Sequence, residues 1–446
     1  MDMDQNHKHH LTGSLIGLVL LGGLACPLRA AGQGEAVAPG EDAPNPVTVF
    51  DRDRITGDWW GARERLEAKG LTVGGETISE FSSVFDGGIN QRGSFRNLLT
   101  VDAEADMDAL LGLRGGTAFI QYLSVNAEDG GSLDTGDLQV YSNIENASSL
   151  DVIYELWYEQ LFFGDRVRIK AGKVDANSEF AFVEAAGDFA NSSAGFSPSI
   201  FAFPSYPDSA AGINIFATVY EGEGTRATIG YGLYDGAAAA DGVRTGSRGP
   251  STFFDDDISD DYFHIGQFSL SWDSFMPESA MLGGGRVSAG VWHHTGTFDR
   301  FDGASEQGVT GLFATGEIRV FDPDWNPGSR AQSDAPERGV YVFGQYGWAD
   351  DEVGEVSQHL AGGVVWRGPT PERPDDSAGL YLSLVDLSDE AASGFGDDEF
   401  VLDAYYRAQL APAVFVQPEI QYIVNPSGDP AIDDALVGGI RVGVTF

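Results

Sequence analysis

The amino-acid sequence predicts an all-β protein, a closed antiparallel transmembrane β-barrel of about 16 strands. Three observations predict this fold: an export signal, many segments in which apolar residues recur at every second position, and a closing strand that ends on an aromatic residue. In that strand every second residue from Ile440 to Phe446 is apolar, whereas Arg441 lies on the other face. We expect the apolar face to meet lipid and Arg441 to meet the lumen.

The N-terminal segment has the layout of a secretory signal peptide. Its apolar run from Leu15 to Cys26 is too short to cross a bilayer, and small residues follow it. We expect cleavage near Ala31, so that residues 1–31 are the signal peptide. The only cysteine lies within it, which leaves the exported chain without thiols or disulfides. The alternative is a lipoprotein anchor at Cys26, which the proline directly after it disfavours.

Two short regions precede the predicted barrel. Residues 32–57 are rich in Gly, Ala, Pro and acidic residues, so we expect a mobile lead-in. Residues 58–70 predict the one convincing helix, which Asp58 can cap and Gly70 can end in the left-handed conformation. Residues 71–446 form the predicted barrel.

Strand patterns with a period of two fill the predicted barrel. From Val101 to Ala109 apolar and acidic residues alternate, which in a barrel separates a lipid face from a lumen face. Near the C-terminus, Pro418 removes a ladder donor, so we expect a bulge or a local break at that position. No apolar run approaches the about 20 residues that a transmembrane helix requires.

The hairpin from Asp151 to Lys170 combines two kinds of face. Every second residue from Val152 to Tyr158, Tyr154 included, is expected on one apolar face. The opposite face combines carboxylates with cations, which attract one another across neighbouring strands. Its members are Glu155, Trp157, Glu159, Arg168 and Lys170.

The alternation fails between Gly172 and Pro207, a long connection that contains several phenylalanines. Connections of this length are usually functional or disordered. Because aromatic residues argue against disorder, we expect an ordered loop folded onto or into the barrel.

The balance of 68 acidic against 26 basic residues gives a formal charge of -42. It excludes nucleic-acid binding, which needs a basic surface. The acidic residues are expected on a solvated surface or at channel mouths that attract cations. His293 and His294 are adjacent and point to opposite faces of a strand, so they cannot form one metal site without a bulge. The cluster from Asp255 to Asp261 lacks the ligand order of a calcium loop.

Several sequence blocks follow one another across most of the predicted exported chain. They are TGDWWGARERLEAKG, YELWYEQ, GKVDANSEF, GDFANSSAGFSP, FPSYP, GVWHHTGTFD, RPDD, YYRAQL and QPEIQYIVNPSGDP. Together these blocks resemble the carbohydrate-selective porins of the OprB type, and the GKVDANSEF and QPEIQY blocks are the most specific.

This resemblance implies a monomeric channel in the bacterial outer membrane that is narrowed by inward-folded segments. It implies passive diffusion of sugars, with no enzymatic activity and no cofactor. The expected partners are mono- or oligosaccharides in transit, outer-membrane lipid, and the barrel-assembly machinery, which would engage the C-terminal strand.

A sugar-selective pore needs charged or amide groups beside aromatic rings. The candidate pore-lining or substrate-binding residues share polar strand faces or stand where a strand gives way to the long loop, where anchoring the loop is the alternative role. They are Glu80, Arg96, Glu155, Trp157, Glu159, Arg168, Lys170, Lys173, Asp175, Asn177, Glu179, Tyr405, Arg407, Gln417, Glu419 and Arg441.

Three other functions stay open at this stage. The first is a general or ion-biased porin of the same fold, and the second is a hydrolase embedded in the barrel. The third is a soluble, calcium-binding surface β-protein. Of these the hydrolase has the least support, because the sequence lacks a nucleophile elbow and any spaced catalytic triad.

Overall fold

A closed barrel of sixteen antiparallel strands forms the protein in a computed structural model. Each strand pairs with its neighbour in the chain, and β1 pairs with β16 to close the barrel. The predicted fold class is therefore confirmed. The structure describes residues 49–127, 131–145, 148–242, 252–253, 261–273, 283–323 and 338–446.

All strands except the short fifth strand have the about 9 to 11 residues that a tilted strand needs to span a membrane. The helices within the described ranges are short, and none is long and apolar enough to cross a membrane. The strands are β1 Leu71–Gly88, β2 Gly93–Asp106, β3 Gly116–Ala127, β4 Leu150–Phe162, β5 Val167–Val174, β6 Ala210–Gly222, β7 Thr225–Asp235, β8 Tyr262–Trp272, β9 Gly285–Asp299, β10 Ser305–Phe321, β11 Gly339–Ala349, β12 Val356–Arg367, β13 Ser377–Leu387, β14 Glu399–Ala411, β15 Val414–Val424 and β16 Asp433–Thr445. The α-helices are α1 Ala62–Glu67, α2 Met107–Leu111, α3 Ser132–Thr135 and α4 Ala237–Asp241.

Side chains alternate between the lipid face and the lumen along each strand. In β16, Ile440 and Val442 are 43% and 37% exposed on the outside, whereas Arg441 is 6% exposed on the inside. The lipid and lumen faces predicted for the closing strand are confirmed. Many aliphatic side chains lie on the outer face of the barrel instead of in an interior core, because lipid rather than water surrounds that face.

The helical segments differ in extent from the sequence prediction. Helix α1 begins only at Ala62, and Asp58, in the preceding turn, accepts a hydrogen bond from the Glu64 amide at 2.9 Å. The alternation predicted through Ala109 stops earlier, at Asp106, whose carboxylate caps α2. The predicted signal peptide and most of the lead-in lie outside the described residues.

The face predicted for Val152 and Tyr154 is wrong. Between β3 and β4 the register passes from Gln121↔Glu155 to Tyr122↔Ile153, so Tyr154 is an extra residue in a β-bulge. A bulge reverses the inside and outside positions of everything that precedes it. Val152 and Tyr154 therefore point into the barrel and are buried, while Leu156 and Tyr158 face outward.

The interruption expected at Pro418 is present as a local break. Pairing of β14 with β15 stops after Tyr405↔Glu419 and resumes at Ala408↔Val416 in the same register. On its other side Pro418 still pairs with Ile440 of β16. The backbone donor that Pro418 lacks therefore interrupts the pairing of β15 with β14 without shifting the register.

Two loops fold into the lumen. Strand β5 has only 8 residues against 13 in β4, so the chain leaves the wall early and enters the barrel as residues 175–209. This inward loop packs aromatic residues such as Phe180, Phe196 and Tyr206 in a buried cluster. A second inward segment, residues 131–145, lies against β1, β2 and β14. The expected inward-folded loop is confirmed.

Candidate functional site in the barrel lumen

One short stretch of the inward loop faces open space in the lumen. Within residues 182–188, Glu184 and Gly187 are exposed, and Phe182 and Asp188 are half-buried. The rest of the loop is almost entirely buried. This stretch, called here the lumen segment, therefore forms the part of the loop that a solute passing through the barrel can contact.

A network of four charged side chains lines the wall at β4 and β5 and reaches the inward loop. Arg168 contacts Glu159 at 2.9 Å, and Lys170 lies 3.7 Å from the same carboxylate. Glu179, at the start of the loop, contacts both cations at 2.5 Å. The predicted face of carboxylates and cations thus comes together, with its cations held between two acids.

Aromatic rings lie against the cations of this network. The Lys170 ammonium is 3.8 Å from the centre of the Trp157 ring, and the Arg168 guanidinium is 4.4 Å from that of Phe216. Phe119 stacks on Trp157 with ring centroids 5.0 Å apart. Each cation is attracted to the negative face of its ring, which restricts its motion.

A second network joins the lumen segment to β14 and β15. Arg407 contacts Asp188 at 3.1 Å and stacks over Phe415, with its guanidinium carbon 3.5 Å from the ring centre. The hydroxyl of Tyr405 donates to the same carboxylate at 3.3 Å. Gln417 donates to the Asp188 carbonyl at 2.7 Å. Predicted residues from two strands therefore converge on one loop residue, Asp188, those of β14 on its carboxylate and Gln417 of β15 on its carbonyl.

A third group lies on β9, β10 and β12. Arg286 contacts Glu317 at 2.6 Å and lies 3.9 Å from the ring centre of Phe182. Arg367 lies 4.8 Å from the ring centre of Tyr341 and donates to the Glu184 carbonyl at 3.2 Å. The lumen segment is thus surrounded by half-exposed cations that each rest on an aromatic ring.

Several predicted residues are buried anchors of the inward loop. Asp175 accepts a hydrogen bond from the Tyr154 hydroxyl at 2.6 Å. Its carboxylate also accepts one from the backbone amide of Asn177 at 2.8 Å, which caps the turn that begins there. Burial raises the pKa of the Asp175 carboxyl. Glu155 accepts from the Asp175 amide at 3.1 Å, and the Lys173 ammonium donates to a backbone carbonyl of β4.

Another set of predicted residues forms a buried ion cluster. Arg96 contacts Glu80 at 2.9 Å and Glu145 at 3.0 Å, and Arg441 contacts Glu80 from the opposite side at 2.5 Å. Arg96 is 1% exposed and Glu80 is 3% exposed. Tyr141 accepts a hydrogen bond from Arg96 at 2.9 Å. This cluster attaches residues 131–145 to the wall.

Glu419, on β15, also attaches an inward loop to the barrel wall. Its carboxylate accepts a hydrogen bond from the Ala190 amide at 2.7 Å and another from Gln417 at 2.9 Å. Its neighbour on the same face, Gln421, holds Asn191 at 3.1 Å. The QPEIQY block of the sequence therefore receives the inward loop directly after the lumen segment.

Sequence analysis missed several residues of the lumen networks. Arg286 and Glu317 occupy polar positions of alternating strands, so the strand period could have identified them. Asp188 stands in the GDFANSS block, but nothing local marks it as the partner of Arg407, 219 positions away. Phe415 was missed because, from sequence alone, an aromatic residue on the polar face of a strand suggests a packing role.

Comparison with known proteins agrees with this architecture. A family model described as carbohydrate-selective porin, OprB family, matches residues 93–446. The putative porin QuiX of Acinetobacter baylyi is 26% identical over 443 residues, which cover 89% of this chain and 94% of that protein. Porin B of Pseudomonas aeruginosa is 27% identical over 129 residues, which cover 24% of this chain and 28% of that protein.

Solved structures share the fold. The high-pH structure of Pseudomonas putida OprB superposes with a TM-score of 0.74 at 16% identity, over 90% of this chain and 100% of that one. Its low-pH structure gives a TM-score of 0.53 at 15% identity, over 89% and 99% of the two chains. The chain belongs to the OprB family of carbohydrate-selective porins, and it is a passive outer-membrane channel for sugars rather than an enzyme.

Proposed function

We propose that sugars cross this barrel along the lumen segment, between the network on β4 and β5 and the network on β14 and β15. The observation that carries the proposal is the set of half-exposed cations, Arg286, Arg367 and Arg407, that contact residues 182–188 and each rest on an aromatic ring. A sugar offers hydroxyl groups at its edge and apolar C–H groups on its faces. Charged groups can replace its lost water contacts while the rings contact its faces, and weak binding permits release.

We infer two roles among the candidate residues. Half-exposed or aromatic members of the lumen networks contact the sugar, while the candidates that are buried or bonded to the loop backbone hold the inward loops. Sugar contact is assigned to Trp157, Glu159, Arg168, Tyr405 and Arg407. Loop anchoring is assigned to Glu80, Arg96, Glu155, Lys170, Lys173, Asp175, Asn177, Glu179, Gln417, Glu419 and Arg441.

Sugar uptake by liposomes that contain the pure protein tests this pathway. We expect Trp157→Leu to slow the uptake of monosaccharides several-fold, because Trp157 carries Lys170 on its ring. Trp366→Leu is the matched control, since Trp366 is 45% exposed on the outer face and should leave uptake unchanged. Equal uptake by the two variants and the parent protein would remove Trp157 from the pathway.

The ring-lined networks also favour sugar selectivity over a general or ion-biased pore. Binding of a sugar between charged groups should obstruct ions, so single-channel conductance should fall as sugar is added. A conductance that stays constant up to high sugar concentrations would favour the general porin instead.

Processing and assembly complete the proposal. Residues 1–31 are removed as a signal peptide, residues 32–57 form a lead-in, and the protein functions as a monomer inserted by the barrel-assembly machinery through its C-terminal strand. N-terminal sequencing of the outer-membrane form should begin near Gly32. Light scattering of the detergent-solubilised protein, corrected for detergent, should give one chain per particle, and a mass of three chains would contradict the monomer.

A further inference from the structure

Two histidines lie side by side on the outer wall of the barrel. His264 of β8 is the direct cross-strand partner of His293 of β9, and their ring centroids are 6.3 Å apart. The alternating neighbours Phe263, Ile265 and Trp292 are buried in the interior. The two imidazoles therefore project outward from one pair of adjacent strands, away from the lumen networks.

Each imidazole is oriented by a hydroxyl group through its Nδ1 atom. His264 Nδ1 lies 2.8 Å from the Tyr231 hydroxyl, and His293 Nδ1 lies 2.9 Å from the Thr310 hydroxyl. A hydroxyl oxygen can accept the Nδ1 proton, which leaves the lone pair on Nε2. Among the described residues, neither Nε2 atom has a hydrogen-bond partner. This is the arrangement by which outer groups orient metal-binding histidines.

The surroundings leave room for an ion and its water. Gly266 follows on the same outward face, and a Cβ atom added there would meet nothing within 4 Å. The pair lies close to Tyr262, where β8 begins, at the end of the barrel opposite the tight turn between β6 and β7. Strand ends lie near the membrane surface, where water and polar headgroups are accessible.

We propose that His264 and His293 together bind one divalent transition-metal ion, such as Zn²⁺, Ni²⁺ or Cu²⁺, through their Nε2 atoms. Imidazole nitrogens suit these ions, and they bind zinc at about 2.0 to 2.1 Å. In the described part of the chain no group of three His, Cys, Asp or Glu residues converges. Water or an oxygen of a lipid headgroup completes the coordination.

The histidine content makes the test selective. Of the 7 histidines in the sequence, three precede Ala31 in the predicted signal peptide. His294 and His359 are both 0% exposed inside the barrel. Of the four histidines that follow the predicted cleavage site, all within the described residues, His264 and His293 are therefore the two that lie on the outer face.

Calorimetric titration of the detergent-solubilised, signal-processed protein with NiCl₂ in 0.5 M NaCl tests the site, since this salt screens the acidic surface. We expect one ion per chain, and binding at least about 100-fold weaker in both His264→Ala and His293→Ala. Thr310→Val should weaken binding about 10- to 100-fold, as is typical for loss of a residue that orients a ligand. Heat-modifiable gel migration checks that every variant is folded.

The spectrum of bound Cu²⁺ provides a second measurement at the same site. Hyperfine splitting from two equivalent imidazole nitrogens is expected in the parent protein and should be lost in either histidine variant. Nickel binding that is equally strong in the parent and in a folded double variant, or a copper spectrum with oxygen ligands only, would overturn the proposal. Sugar uptake should be the same in all these variants, because the pair lies outside the lumen.

Discussion

The buried ion cluster of Arg96, Glu80 and Arg441 and the half-exposed network around Arg407 and Asp188 use the same types of residue for different purposes. In the buried cluster the side chains are at most 7% exposed, and in the lumen network they are 20% and 28% exposed. Both bridge a loop to the barrel wall. The difference teaches that burial, rather than residue type, separates groups that hold a loop from groups that can meet a solute.

The physical reason is the cost of removing charge from water. An ion buried without its partner retains a large desolvation penalty, so a buried pair is hard to break even when its net contribution is small. A half-exposed pair is solvated and screened, so its loss costs little stability. In the proposed pathway the same solvent access lets the pair exchange water for sugar hydroxyls. The following variants separate the two groups by stability and by transport.

The largest effect is expected from Arg96→Met in the buried cluster. It leaves Glu145 without its cation and Glu80 with Arg441 alone, so the free energy of unfolding should fall by about 3 to 5 kcal/mol. Urea unfolding in detergent, followed by tryptophan fluorescence, measures the change. Arg226→Met removes an exposed pair and should leave the unfolding curve unchanged. If the two variants unfold alike, the cluster is not an anchor.

A smaller loss of stability is expected from Tyr154→Phe at the base of the inward loop. The change removes a buried donor to the Asp175 carboxylate and should cost about 1 to 3 kcal/mol. A less firmly held loop should also make the open-channel current noisier. Tyr158→Phe is the matched control, because its hydroxyl bonds to Gln160 on the outer side of the same strand. Quiet current with unchanged stability would contradict the anchoring role of Asp175.

Arg407→Gln should affect sugar transport more than stability, the opposite of what is expected for the buried cluster. Because the Arg407–Asp188 pair is half-exposed, the free energy of unfolding should change by no more than about 1 kcal/mol. Titration of sugar against single-channel conductance should show roughly tenfold weaker block, from loss of a charged hydrogen-bond donor. A stability loss as large as that of Arg96→Met, with normal block, would place Arg407 among the anchors.

The smallest effect concerns ion preference. With a formal charge of -42 the channel should favour cations, and Arg286→Gln should increase that preference by removing a half-exposed positive charge from the lumen. Reversal potentials measured at about 0.1 M salt should reveal the increase, which should fade near 1 M as the screening length falls from about 10 to about 3 Å. An increase that persists undiminished at high salt would indicate altered pore shape instead of altered charge.

The strand pattern made much of the fold predictable. Alternation over the closing strand correctly separated Ile440 and Val442 from Arg441, because in a barrel each side chain has only lipid or lumen available to it. The breakdown of that alternation after Gly172 correctly marked a loop that folds inward. Val152 and Tyr154 were exceptions, since a bulge changes the inside and outside positions without leaving a signal in the local composition.

The pairing of distant residues was decided by the tertiary structure alone. Arg441 meets Glu80 across 361 positions because barrel closure brings β16 beside β1, and His264 meets His293 through the register of β8 and β9. Local sequence therefore determined which side chains face the lumen, because the side-chain period of a strand is a local property. Closure and register decided which of them meet, and burial by the inward loops decided which remain open to a sugar.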